Sequence, residues 1–533
     1  MSWLAFLICS WSVPASAANF EVTGDVAAQG YEVASPWGDV VVGRRRLTTT
    51  LGLAGYNLQG DAEPLGPDYS LRLRMRVDSD FGIAGAEEQY NARDARRFVP
   101  GLDHAPVDLM IGFVEGRRLG GGWFGFRLGR QYVTDVLGWW SFDGGMVRLT
   151  TPFFVAAEVY GGMEQRGGLP LSSERYAAQG VWRGSRSEIG PDGRNYPSFQ
   201  DASPAPAFGF ALETTGPNWI HGRFAYRRVY STGPVLTGQF PTPGTTEFEE
   251  VEGLRLSTEK FGYGATAFLS EIGALRAGFA YDVYNDLINK AYGGLEFYPI
   301  TNRLVLGADI DFFVPTFDAD SIWNWFTHNP VTTLLGRASV RPLAGLDVSG
   351  SAGVRLWVAE GDPEGWALAE CTAAGGGQAA IDTCLAMGTD PSAGSDGTFA
   401  REEDNRDATI APDLLANLGA GYRWSNGNVG LSGVLQNGFG DVDSHRGRMV
   451  GGVLTARQAL DGGTLWVGGR LSTTNWEDPL RPARDATSFG YVVAPEYWPA
   501  GFARMRVQWE HDMNRLVGQR FRVLGLVSLR VAP

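Results

Sequence analysis

Lysine is nearly absent. Two of the 45 basic residues are lysines, Lys260 and Lys290, and 43 are arginines, so almost all the positive charge stays ionised at any physiological pH. Histidine (five) and cysteine (three) are scarce, and no His/Cys spacing of the zinc type occurs. Nucleophile elbows and phosphate-binding loops are also missing. After the N-terminus no apolar run approaches the ~20 residues that a membrane helix needs. No linker or shift of composition divides the 533 residues into the roughly three or four soluble domains such a length would otherwise suggest. These absences argue against a metalloenzyme, a nucleotide-binding domain, a helical membrane protein and a string of soluble modules. A formal charge of -14 gives no reason to expect nucleic acid as a partner.

What is present is alternation. In the last hairpin, Gly501 to Val531, Ala503, Met505, Val507 and Trp509 alternate with Arg504, Arg506, Gln508 and Glu510. After a polar turn near Asn514 the same parity resumes, with Phe521, Val523, Gly525, Val527, Leu529 and Val531 against Arg520, Arg522, Ser528 and Arg530. Successive side chains of a strand point to opposite faces, so each strand has an apolar face and an ionic one. A soluble sheet produces the same pattern, but it needs something to cover the apolar face. Here the pattern repeats from about residue 40 to the end without helical segments to supply that cover. The fold expected is therefore all-β: a single antiparallel transmembrane β-barrel of about 20 strands, or about 22 with an N-terminal pair, with short periplasmic turns and long extracellular loops. Glycine (73 residues) and aromatics (12%) suit tight turns and interfacial girdles.

Residues 1–17, MSWLAFLICSWSVPASA, read as a signal peptide with a small-residue cleavage pattern at Ala15-Ser16-Ala17. Residues 18–39 read as either an N-terminal segment or the first strand, and residues 40–533 as the barrel. Leu71–Val77 is unambiguous: Leu71, Leu73, Met75 and Val77 alternate with Arg72, Arg74 and Arg76. Long connections after Glu164, Tyr230, Phe313 and Val358 then fall on one side. Short ones near Gly216, Ile300-Thr301-Asn302, Leu343-Ala344 and Ser425-Asn426-Gly427 fall on the other. Removing the signal leaves Cys371 and Cys384 in a Gly/Ala/Asp-rich loop, and a pair of cysteines in an exported chain is expected to be a disulfide.

The pattern over nearly the whole chain resembles the porin-like class of Gram-negative outer-membrane β-barrels. The closing strand, Gly525 through Val531, is similar to the C-terminal targeting signal of that class, although the chain ends in Val-Ala-Pro instead of an aromatic residue. The resemblance implies an outer-membrane location. Partners would be lipid, lipopolysaccharide and the barrel-assembly machinery.

The candidate site is the inner face. Arg72, Arg74, Arg76, Arg504, Arg506, Arg520 and Arg522 form a basic group on what read as the first and last strands, neighbours once a barrel closes. Glu158, Glu164, Asp282, Glu296, Asp309 and Asp311 form an acidic group near the middle of the chain, across the lumen from the basic one. A basic wall opposite an acidic wall would set a transverse field across a pore. Such a set of lumen charges is equally expected from solubility and packing alone. Glu510-His511-Asp512 is the only acid–His–acid cluster, and alternation prevents its members from converging. His221 reads as a lumen histidine, and the run from Arg401 to Asp407 as a solvated charge cluster. Trp139, Trp140 and Trp476 are expected in the outer aromatic girdle, with Tyr298, Tyr422, Trp424, Tyr497 and Trp498 in the inner one. No catalytic residue, metal or cofactor is assigned. The leading function is a channel for small polar or anionic solutes. The alternative is a barrel component of a polysaccharide or protein export or surface-assembly machine with a periplasmic partner.

Overall fold

The computed structural model describes residues 18–60, 66–83, 107–165, 205–232, 235–236, 250–251, 253–300, 303–316, 330–359, 409–438, 448–476, 487–515 and 518–532. The signal segment, Cys371 and Cys384, and the 401–407 run lie outside these residues.

Among the described residues almost every element is a strand. They are β1 (Asn19–Ala34), β2 (Val40–Tyr56), β3 (Asp68–Ile83), β4 (Val107–Arg118), β5 (Phe124–Asp135), β6 (Gly138–Thr150), β7 (Val155–Glu164) and β8 (Pro206–Thr214). Next come β9 (Ile220–Ser231), the short ribbon β10 (Val235–Leu236) and β11 (Glu250–Val251), β12 (Arg255–Phe268), β13 (Gly273–Asp282), β14 (Leu287–Ile300), β15 (Leu304–Phe313) and β16 (Val331–Leu343). The rest are β17 (Leu346–Ala359), β18 (Thr409–Trp424), β19 (Gly427–Gly438), β20 (Arg448–Leu460), β21 (Leu465–Trp476), β22 (Ser488–Ala500), β23 (Ala503–Asn514) and β24 (Gly518–Val531).

Apart from the ribbon, every strand pairs antiparallel with the next, and β9 passes over the ribbon to pair with β12. The sheet has 22 strands and closes on itself through β1 and β24, from Val22 opposite Val531 to Ala34 opposite Gln519. Asn19–Ala34 is thus a full strand of the wall. Closure removes every free edge, which is what allows a sheet to cross lipid. For 22 strands spaced ~4.8 Å apart and tilted ~40°, the backbone cylinder is roughly 40 Å across.

The side-chain distribution is the reverse of a soluble protein's. Met505, Val507 and Trp509 on β23 are 46%, 52% and 47% exposed, while Glu510 on the same strand is 3% exposed. Phe208, Phe210, Leu275, Leu431 and Leu471 are exposed in the same way. Exposed apolar residues in continuous bands on the outer face match a hydrocarbon surround, and the chain is a transmembrane β-barrel of the outer-membrane type. Among the described residues no helix is long and apolar enough to cross a membrane. Both ends of the barrel chain lie with the short connections 151–154, 344–345, 425–426, 461–464 and 501–502. The strand ends that border the long connections 84–106, 166–204 and 360–408 are at the opposite, extracellular end.

Candidate functional site

Directly opposed residues of an antiparallel pair share a face, so the register traces the inner wall. Arg504 opposes Ser528, Ser528 opposes Asp25, Asp25 opposes Thr50, and Thr50 opposes Arg76. Arg74 and Arg72 continue this face along β3, Arg506 along β23, and Arg522 and Arg520 along β24. All seven arginines singled out in the sequence share it. Their neighbourhood differs from the expectation, because the strand carrying Arg72, Arg74 and Arg76 is the third and not the first. The N-terminal pair β1 and β2 inserts between it and β24.

The charges are organised as ladders between strands one or two places apart. Glu496 on β22 accepts from Arg457 at 3.0 Å and from Arg504 at 2.8 Å. Glu510 on β23 lies 3.5 Å from Arg470 and 3.4 Å from Arg520 and also pairs with Arg522, while Asp512 holds Arg520 at 2.6 Å. Three arginines therefore share two carboxylates. Arg74 reaches Asp25 at 3.7 Å, Arg506 donates to Gln508 at 2.7 Å, and Arg72 lies over the Tyr56 ring at 5.8 Å.

The acidic residues do not form an opposing wall. Glu158 is held by Arg148 and Arg223, both at 2.5 Å, and Glu213 binds the same two guanidiniums at 2.8 and 3.1 Å. Asp309 bridges Arg276 and Arg337, each at 2.7 Å, and Glu296 accepts from Arg337 at 2.6 Å and from the Tyr298 hydroxyl at 2.8 Å. Asp282, fully buried, pairs with Lys260 at 3.3 Å. Glu164 accepts from the Trp140 indole N–H at 2.8 Å. Asp311 is exposed on the same face, opposite Tyr292 and Thr333. The expected transverse field is corrected by this pairing: most mid-chain acids are neutralised by a cation one or two strands away, and the excess of guanidinium over carboxylate is kept near the seam. Neighbouring strands of an antiparallel sheet place opposite charges within about 5 Å, where pairing outcompetes a partner across the lumen.

The inner face also carries a structure that alternation does not reveal. The β5–β6 hairpin leaves the wall. β4 and β5 pair only from Gly112 to Gly116, and above that the hairpin bends inward. The bend needs glycine: Gly129 has φ 123°, and a Cβ there would lie 2.1 Å from the Gly112 carbonyl oxygen. At the paired Gly144 and Gly162 a Cβ would meet backbone oxygens at 2.1 and 2.2 Å. Beyond the bend, Val133, Trp140 and Phe142 bury against Tyr160 of β7, Ala207 of β8 and Val229 of β9, all inner-face residues. Trp140 stacks on Phe142 at 4.3 Å and carries the Arg227 guanidinium at 4.9 Å. At the tip, Asp135 pairs with Arg227 of β9 at 3.4 Å, and Val136 reaches β12, where a Cβ at Gly262 would lie 2.9 Å from it. The hairpin thus lies across the inner wall of β7–β9 and reaches β12. On its other side Tyr132 and Trp139 lie 6.3 Å apart, and Trp139 borders a cavity with Arg227, Thr258 and Lys260 of the inner wall. Trp139 and Trp140 are therefore not girdle residues. Trp140 is an internal anchor, and Trp139 lines that cavity.

His511 is on the outer face, stacked on Phe521 at 3.9 Å, apart from Glu510 and Asp512 as alternation requires. Among the described residues no group of three or more His, Cys, Asp or Glu could hold a metal.

No family model matches the chain, and no curated protein does. Among solved structures it is similar to outer-membrane porins. OccK5 (OpdH) of Pseudomonas aeruginosa is 8% identical, with 97% of this chain and 98% of that one covered and a TM-score of 0.39. OccAB4 of Acinetobacter baumannii is also 8% identical, with 97% and 98% covered and a TM-score of 0.42. OpdK of Pseudomonas aeruginosa, crystallised with vanillate, is 9% identical, with 97% and 99% covered and a TM-score of 0.36. Likenesses this distant transfer neither a solute nor a residue role.

Proposed function

We propose that this barrel is an outer-membrane channel for passive passage of small polar or anionic solutes, with Arg72, Arg74, Arg76, Arg504, Arg506, Arg520 and Arg522 lining the path. The observation that carries this reading is the guanidinium excess on the inner face near the seam, where Glu496 serves two arginines and Glu510 with Asp512 serves three. Those charges are independent of pH and sit on rigid strands, so an anion entering the lumen meets a fixed positive field. Screening over ~8–10 Å at physiological salt makes selectivity fall as salt rises. The hairpin supports the same reading: a bore of this size would otherwise pass solutes with little discrimination, and the hairpin adds Tyr132 and Trp139 to the path. The likeness of the closing strand, Gly525 through Val531, to the class's targeting signal supports insertion by the barrel-assembly machinery.

Planar-bilayer recording of the purified protein tests the proposal. Steady open conductance, with a reversal potential in a salt gradient shifted toward the anion, is expected. Arg74→Glu with Arg506→Glu should move that potential toward the cation. A barrel that stays closed and copurifies with periplasmic proteins would instead support the export-machine reading. A conducting double mutant with an unchanged reversal potential would remove the arginines from the path.

A further inference from the structure

Away from the seam, a cavity of about 180 Å³ lies where the tip of the β5–β6 hairpin meets the inner wall of β9 and β12. Trp139 and Trp140 border it on the hairpin side. Arg227 and Glu164, with Thr258 and Lys260 of β12, border it on the wall side. Register puts the polar groups of the wall side by side. Arg227 is directly opposite Lys260, and Thr258 stands one rung further toward the extracellular end on the same face, opposite Val229. Both cations are paired: Arg227 lies 3.4 Å from Asp135 and Lys260 3.3 Å from Asp282, while Glu164 accepts from the Trp140 indole N–H. With those partners counted, two cations meet three carboxylates, a formal -1. No positive field draws an anion in, and a cation would meet two fixed ones.

Hydrogen-bonding capacity is nevertheless left over. Thr258 is 7% exposed, and among the described residues its hydroxyl has no hydrogen-bond partner. The Nε of Arg227, in a residue 8% exposed, has none either. An ammonium carries three N–H donors, and among the described residues Lys260 uses two, on Thr316 and Asp282. Buried polar atoms in folded proteins are satisfied by protein, water or ligand, and these border a space able to hold one of the last two. The two indoles differ in cover. Trp140 is 4% exposed, whereas Trp139 is 40% exposed, so a good part of its apolar ring has no protein packed on it.

We propose that this cavity binds a neutral monosaccharide. This rests on the channel reading above and deepens it, by naming one class among the polar solutes. A sugar hydroxyl both donates and accepts, which suits a lining that offers donors on Arg227 and Lys260, an acceptor on Glu164 and a hydroxyl on Thr258. The C–H face of the ring supplies apolar surface for the uncovered indole of Trp139. Paired charges give such a ligand strong hydrogen bonds without asking it to be charged. The volume lies below the usual range for small-molecule pockets, so a single sugar ring is the fit and an oligosaccharide is not.

The probe is D-glucose, titrated against the purified full-length chain in a detergent without a sugar headgroup and followed by saturation-transfer NMR. A saturable signal on the ring C–H protons is expected, with affinity lowered at least tenfold in Trp139→Ala. Thr258→Val, which swaps the unpartnered hydroxyl for a methyl of the same shape, should also weaken binding. Trp37→Ala serves as the control, because that indole is 87% exposed in the β1–β2 turn, away from the cavity, and its loss should change nothing. Gluconate and protonated glucosamine supply the charged alternatives on a similar hydroxylated frame, and glucose should bind more tightly than either. Tighter binding of either charged analogue would overturn the choice of a neutral ligand. Wild-type protein without a saturable signal, or wild-type affinity in both Trp139→Ala and Thr258→Val, would overturn the site. Conductance of the same preparations separates the two claims. A conducting channel that does not bind glucose removes only this site, and a non-conducting barrel that binds it removes only the channel reading.

Discussion

Glu510 is nearly buried, yet it is shared by three guanidiniums, each a third to a half exposed to the lumen. Replacing it by Gln removes one negative charge from a group that is already positive. Glu510→Gln is therefore expected to raise anion over cation permeability, read as a further shift of the reversal potential toward the anion. The lost charged hydrogen bonds should cost about 1.5–3 kcal/mol, toward the low end because the arginines keep water as an alternative partner. A variant with unaltered selectivity would place Glu510 off the conduction path. The arginines themselves were legible in the sequence because alternation is a local property: Arg504 and Arg506 share a face whatever the rest of the chain does. Their carboxylate partners were not. Glu496 meets Arg457 across 39 positions of sequence, and Glu158 meets Arg223 across 65, contacts fixed by strand register alone. His511 shows the reverse case, since its separation from Glu510 and Asp512 follows from alternation without any knowledge of register.

The β5–β6 hairpin sets a different limit. Its strands alternate like every other pair, so the sequence marks them as wall. Nothing in that period tells whether a strand end continues upward or folds inward. The decisive signals are glycines at paired positions, Gly129 opposite Gly144 and Gly144 opposite Gly162, where the chains approach too closely for a Cβ. With 73 glycines in the chain those three do not stand out. The tip is fastened by the Asp135–Arg227 pair and by Trp140, which donates to Glu164 and packs on Phe142. Asp135→Asn combined with Trp140→Ala removes both fastenings and leaves the outer wall untouched. The hairpin should then swing free, giving a larger single-channel conductance or added current noise. Trp140→Ala alone should cost about 3–5 kcal/mol of local packing, as expected for an aromatic buried among other rings. Single-channel recordings identical to wild type would mean that the hairpin does not narrow the lumen.

At the scale of the whole molecule, alternation, an even strand count and connections of unequal length were enough to anticipate a closed barrel. Each reflects a constraint that lipid imposes: no unpaired backbone in hydrocarbon, strands returning in pairs, and bulk confined to the ends that face water. Residues 18–39 stayed undecided because Asn19–Ala34 alternates weakly, with glycine, alanine and threonine at many positions. Its place is fixed by two neighbours, β2 and β24, that lie far apart in sequence. Closure then settles which parity meets lipid for every strand at once, and this can be tested on adjacent residues. Val507 opposes Gly525 on the exposed apolar face, whereas Gln508 opposes Leu524 on the inner one. Val507→Arg should cost about 2–4 kcal/mol, because the guanidinium must be drawn into hydrocarbon or carried to the interface. Gln508→Arg keeps the new charge beside Arg506 in water and should cost little. Folding of each variant into phospholipid vesicles, followed by electrophoretic mobility with and without heating, reads the difference directly. The two substitutions are chemically alike and one position apart, so strand propensity and general charge effects cancel between them. Equal folding of both would mean that the exposed face does not meet lipid, which would remove the membrane barrel itself. Failure at Val507 alone leaves the bilayer as the only feature able to tell the two faces apart.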